Sequence, residues 1–192
     1  MKRKILFRSA AKAGFTLVEF LVGLGVFIII LQGVIGVLIF SIRTQRKLLI
    51  EQEIADELSF ASEFMSRALR MAIKDKNGTC LSVVNSSYEN PGGNNTIVRF
   101  INHLQGDDCQ EFFYDAGTSS LNYRRNIGAV PETLILTSPR LTIQDARFQL
   151  MGEAEGDPYQ PRVTMILQAV SSSLTVPFNL ETTVSQRNLD IP

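Results

Sequence analysis

Few residues of this chain have the type and spacing to do chemistry. The most conspicuous is Glu19, an acid at the start of a long apolar run. A lone carboxylate beside hydrocarbon is costly, so it needs a cationic partner or an aqueous interface. Cys80 and Cys109 could form a disulfide. Closing a loop of about 30 residues in this way stabilises by about 3 kcal/mol on the chain-entropy argument. The alternative is two buried thiols, and spacing does not choose between them. Glu153, Glu155 and Asp157, set among Gly152 and Gly156, could offer loop oxygens to Ca²⁺. Their spacing is not that of an EF-hand, and a solvated acidic turn is the plainer reading. His103 has no candidate nucleophile or metal partner near it and reads as a structural histidine. No phosphate-binding loop, G-x-S-x-G or H-E-x-x-H pattern is present. The expectation is a protein without catalysis, cofactor or metal.

Composition narrows the classes further. The 192 residues carry 19 Lys+Arg against 19 Asp+Glu, and 45% are apolar. That apolar share supports a packed core. Neutrality argues against nucleic-acid binding through a general basic surface. Two Cys and one His are too few for a metal cluster, a disulfide scaffold or a histidine-based triad.

The charges are distributed unevenly. Residues 1–14 contain Lys2, Arg3, Lys4, Arg8 and Lys12 and no acid. From Phe20 to Ile42 the chain carries no charge. As a helix rising about 1.5 Å per residue, that run reaches roughly 34 Å, enough to cross a hydrocarbon core. It is much longer than the apolar part of a secretory signal, and no A-x-A site follows it. It therefore reads as a retained anchor. The basic leader outweighs Arg43, Arg46 and Lys47 beyond the run, which places the N-terminus in the cytoplasm and the body outside.

The segment Gly14-Phe15-Thr16-Leu17-Val18-Glu19, between that leader and that run, resembles the class III signal of type IV pilins and pseudopilins. The resemblance implies a prepilin peptidase cut between Gly14 and Phe15 and N-methylation of Phe15. It also implies a role for Glu19 in assembly, paired with the terminal amine of a neighbouring subunit. The implied protein is a minor pilin-like structural subunit of a type IV pilus or related filament. Its partners would be other pilin or pseudopilin subunits, the prepilin peptidase and the inner-membrane assembly platform, with membrane lipid around it before assembly. A pseudopilin of a secretion or competence system is the nearest alternative. A single-span anchored binding domain that never polymerises is the alternative from another class. Phe20 stands where Leu is commoner in the family, and Gly36 stands where major pilins often carry Pro. Loss of the leader would turn the neutral balance into an excess of five acids.

The elements that must position these residues follow from periodicity. Ile54, Leu58, Ala61, Met65, Leu69 and Ala72 recur at three- and four-residue steps, with acids and arginines between them. This predicts an amphipathic helix over 43–77, continuous with the membrane or filament-core helix over 15–42. Lys74, Lys76, Asn77 and Gly78 read as its stop. Residues 78–192 read as a β-rich domain with strands at 80–84, 96–101, 110–115, 120–125, 133–137, 141–150, 162–169 and 174–184. Strands without intervening helices predict an antiparallel sheet. The fold class expected is α+β, a long N-terminal helix packed on that sheet. Within 141–150 the apolar phase changes, which predicts a bulge or break near Gln144 and Asp145. Pro177 cannot donate a ladder bond, so the last strand is expected to be an edge strand or bulged there.

Overall fold

The structure, a computed structural model, describes residues 14–153, 159–171 and 177–187. The leader at 1–13 lies outside the described residues. The chain divides into two compact units, one through Arg46 and one from Lys47 onward.

In the first unit Thr16 ends a short extended segment and α1 begins at Leu17. α1 is assigned from Leu17 to Arg70. Its first part is the one helix among the described residues that is long and apolar enough to cross a membrane. Every residue from Gly14 to Arg46 is exposed. Twenty large apolar side chains between Phe15 and Ile42 are among them.

The second unit has the α+β architecture. The part of α1 from Lys47 onward packs on antiparallel β-structure. Ile54, Leu58, Ala61, Ser62, Met65 and Leu69 are its buried positions, and their spacing places them on one face. They share a core with Phe100, Phe112, Phe148, Ile143, Met165 and Leu167. Phe64 sits edge-on to Phe112 and Tyr123, with centroids 6.1 and 5.5 Å away.

The strands are β1 (Ala72–Ile73), β2 (Ile97–Asn102), β3 (Asp108–Asp115), β4 (Ser120–Arg125), β5 (Glu132–Ile135), β6 (Leu141–Met151), β7 (Arg162–Ser171) and β8 (Phe178–Ser185). They form two sheets where one was expected, ordered β1-β2-β3-β4-β5 and β6-β7-β8. Loop and side-chain bonds join the two sheets. Ile143 N donates to Ser119 O at 2.9 Å, Phe148 N to Asn95 O at 2.7 Å, and the Tyr114 hydroxyl to Ile143 O at 3.1 Å. The register of β6 against β7 shifts between Ile143 and Asp145, at the expected bulge. That shift lets Leu141 and Ile143, then Ala146 and Phe148, all face the core. β8 is an edge strand, with Pro177 just before it. Residues 174–176 of the expected last strand lie outside the described residues.

Two boundaries differ from expectation. The helix stops at Arg70, several residues before Gly78, because the next residues are claimed by the sheet. Ala72 and Ile73 pair with Asn102 and Ile101, and His103 N donates to Met71 O at 3.1 Å. The segment 80–84 is irregular and not a strand. Its amides are taken by a side chain: Cys80 N and Leu81 N donate to Asp75 Oδ2 at 2.7 and 2.8 Å.

Candidate functional site

The N-terminal site is built from Gly14 to Glu19. Thr16 caps the helix: its Oγ1 accepts Glu19 N–H at 3.3 Å, and its carbonyl accepts Phe20 N–H at 3.2 Å. A hydroxyl in this position satisfies an amide that the first turn leaves open. Glu19 lies in that first turn, where the helix dipole favours a negative charge. Thr16-Leu17-Val18-Glu19 is also the S/T-x-x-E pattern of a helix start, a local signal for Thr16 as the cap. Glu19 is exposed, and no salt bridge within the chain engages it among the described residues.

The glycines sharpen this. A Cβ placed at Gly14, Gly23, Gly25, Gly33 or Gly36 would meet nothing within 4 Å. Glycine inside a helix costs about 0.5–1 kcal/mol relative to alanine. Among the described residues nothing near the helical glycines Gly23, Gly25, Gly33 and Gly36 requires that cost.

The remaining candidates lie in the second unit. Cys80 and Cys109 are disulfide-bonded, with Cα atoms 5.6 Å apart. The bridge ties the segment after the helix to β3. Asp75 anchors the same segment. It is 1% exposed and accepts backbone N–H groups from Asn77, Thr79, Cys80 and Leu81. Burial alone would raise its pKa, but these four bonds outweigh burial and bring it down to about 2. Glu111 is a second buried carboxylate. Arg99 holds it through Nε at 3.1 Å and Nη2 at 3.0 Å, and Arg124 holds its other oxygen. Arg124 in turn lies over the Phe113 ring at 4.5 Å. Sequence periodicity gave no sign of either carboxylate's role: Asp75 collects amides from an irregular turn two to six residues on, and Glu111 depends on arginines brought in by strand pairing.

His103 is exposed, and its Nδ1 lies 2.8 Å from Asp107 Oδ1. This is a local surface pair. Glu153 is described, while Glu155 and Asp157 of the acidic cluster lie outside the described residues. Among the described residues, no group of three or more His, Cys, Asp or Glu side chains could hold a metal ion. The site residues thus fall into an exposed helix start and a set of structural anchors in the β-rich unit. Comparison of the chain with family models, with curated proteins and with solved structures finds no match.

Proposed function

We propose that this chain is a minor pilin-like structural subunit of a type IV pilus or related filament, processed after Gly14 and assembled through its N-terminal helix. The observation that carries the reading is the motif Gly14-Phe15-Thr16-Leu17-Val18-Glu19, set directly before an apolar helix that buries none of its first-unit residues within the chain. Fully burying one Val, Leu, Ile or Phe side chain is worth about 1.5–3 kcal/mol, so twenty exposed ones require lipid or other subunits around them. Before assembly lipid meets that need. In a filament neighbouring helices would meet it.

The bare glycines support the same reading. Small residues let apolar helices approach closely, and in membranes such contacts drive association. Gly14 suits a protease that must reach the backbone. Removal of the leader exposes the amine of Phe15 one helical turn before Glu19. Across two subunits, that amine can neutralise the Glu19 carboxylate where water is excluded. The partners are other pilin or pseudopilin subunits, the prepilin peptidase and the assembly platform of the inner membrane. The β-rich unit lies on the outer side, and the protein contributes structure without catalysis.

Replacement of Glu19 by Ala tests the assembly role. The variant should be cleaved normally and fail to enter filaments. Normal incorporation would contradict the role given to Glu19 and favour a chain that is only anchored.

A further inference from the structure

Among the described residues no strand pairs with the outer edge of β8, and a groove lined by two arginines lies toward its end. Gln186 N donates to Pro161 O at 3.0 Å, and the register from Arg162↔Ser185 to Ala169↔Phe178 is unbroken. In an antiparallel ladder this fixes the direction of every amide. Phe178, Leu180, Thr182 and Val184 turn theirs toward β7. Asn179, Glu181, Thr183 and Ser185 turn theirs outward, and among the described residues none of these outward groups has a backbone partner.

Natural edges are usually blunted by Pro, Lys, bulges or brevity. β5, at the edge of the other sheet, is such a case: it has only four residues. β8 has eight residues, with no Lys or bulge, and its Pro177 stands before the first of them. Its outward-bonding residues carry small polar side chains apart from Glu181.

The end of α1 completes a groove here. A cavity of about 570 Å³ is lined by Arg70, Met71, Thr183, Ser185 and Arg187. Arg187 N donates to Arg70 O at 2.9 Å, which closes one end of the edge, and both arginines line the groove beside it. Both arginines are exposed, and neither has an acidic partner among the described residues. Glu181, farther along the edge, has no cationic partner among them either.

We propose that this groove docks an extended segment of a different protein, which pairs with β8 as a fourth strand of the sheet. Main-chain bonds to Thr183 and Ser185 give the affinity, as in strand addition to sheet edges generally. The charge order gives the direction: an acidic residue at the end facing Arg70 and Arg187, and a basic residue opposite Glu181. Arginine suits the acidic end because its planar fork can hold a carboxylate through two bonds. The groove lies wholly in the unit from Lys47 onward, so this docking does not depend on whether the chain polymerises.

The test uses the full-length protein in detergent micelles with amide hydrogen exchange read residue by residue. The probe is an eight-residue peptide of alternating Thr and Val with Asp at one end and Lys near its centre. With the peptide in excess, exchange at Thr183 and Ser185 should slow about tenfold or more, while Val184, already bonded to β7, should change little. The double variant Arg70→Glu with Arg187→Glu should lose this protection and regain it with a peptide whose terminal Asp is replaced by Lys. No slowing at millimolar peptide, or slowing indifferent to the charge swap, would overturn the proposal. Protection that appears without peptide and grows with protein concentration would assign the edge to a second copy instead. Exposure of Thr183 and Ser185 only after truncation following Arg187 would assign it to the chain's own last residues.

Discussion

The hydroxyl of Thr16 accepts the backbone N–H of Glu19 at 3.3 Å, so one side chain fixes where the helix begins and holds Glu19 in its first turn. Two residues separate Gly14 from the first helical residue, Leu17. Processing at Gly14 would leave Phe15 as the only residue before this cap. Replacing Thr16 by Ala should cost about 1 kcal/mol at the helix start, while Thr16→Ser should cost little. Faster amide exchange at Glu19 in the Ala variant alone checks this. Equal exchange in all three proteins would show that the cap does not hold the turn.

Asp75 gives the β-rich unit an acid-sensitive anchor. Its folded-state pKa of about 2 lies below the ordinary carboxylate value of 3.8. The folded state therefore binds the proton more weakly. Its contribution is fully present above the unfolded value and is lost as pH falls through about 2. The shift corresponds to about 2 kcal/mol. Denaturant unfolding of the wild type and Asp75→Asn should differ by about that amount at pH 6 and converge near pH 2. A difference that stays constant with pH would place the effect in packing and not in the charge.

The Cys80–Cys109 bridge should be separable from that anchor. Reduction, or replacement of both cysteines by Ala, should cost about 3 kcal/mol and lower the melting temperature by about 5–10 °C. The Asp75 bonds should persist, because their donors belong to the same short segment. Combining Asp75→Asn with reduction should release the segment after the helix, read as loss of amide protection at Cys80 and Leu81. Protection that survives both changes would contradict the two-anchor description.

Glu111 is the one acid between Arg99 and Arg124, and it is 2% exposed at its side chain. Glu111→Gln should destabilise by about 2–4 kcal/mol, because two arginines lose the charge that pairs them. Arg99→Lys should cost less than Glu111→Gln but more than a surface change, since Lys cannot reproduce the two bonds from Nε and Nη2. Chemical denaturation of the three proteins orders them. A Glu111→Gln variant as stable as the wild type would reduce the cluster to a surface ion pair.

Local periodicity made much of this legible before the structure. The spacing of Ile54, Leu58, Ala61, Met65 and Leu69 marks the buried helix face, and the phase change around Gln144 marks the bulge. What was not legible depends on which partner takes each backbone amide, near or far in sequence. Ala72 belongs to the helical apolar stripe by spacing, yet strand pairing with Asn102 takes it out of the helix. Leu81, Val83 and Val84 read as a strand, but Asp75 has already claimed the amides of Cys80 and Leu81. The division into two sheets is likewise a tertiary fact, since every strand in both is antiparallel to its neighbours. Of the candidate site, Glu19 is marked by its charge at the start of the apolar run, while Gly14 and Phe15 are marked only by the resemblance of their segment to a class III signal. Thr16 belongs to the local T-x-x-E signal of a helix start.

The central claim is that the mature chain begins at Phe15. Intact mass and N-terminal sequencing of the protein extracted with detergent from the cells that produce it test it most directly. The expected result is a chain lacking residues 1–14 whose first residue is N-methylated Phe15. A chain that still begins at Met1 or Lys2 in cells with an active prepilin peptidase would contradict it.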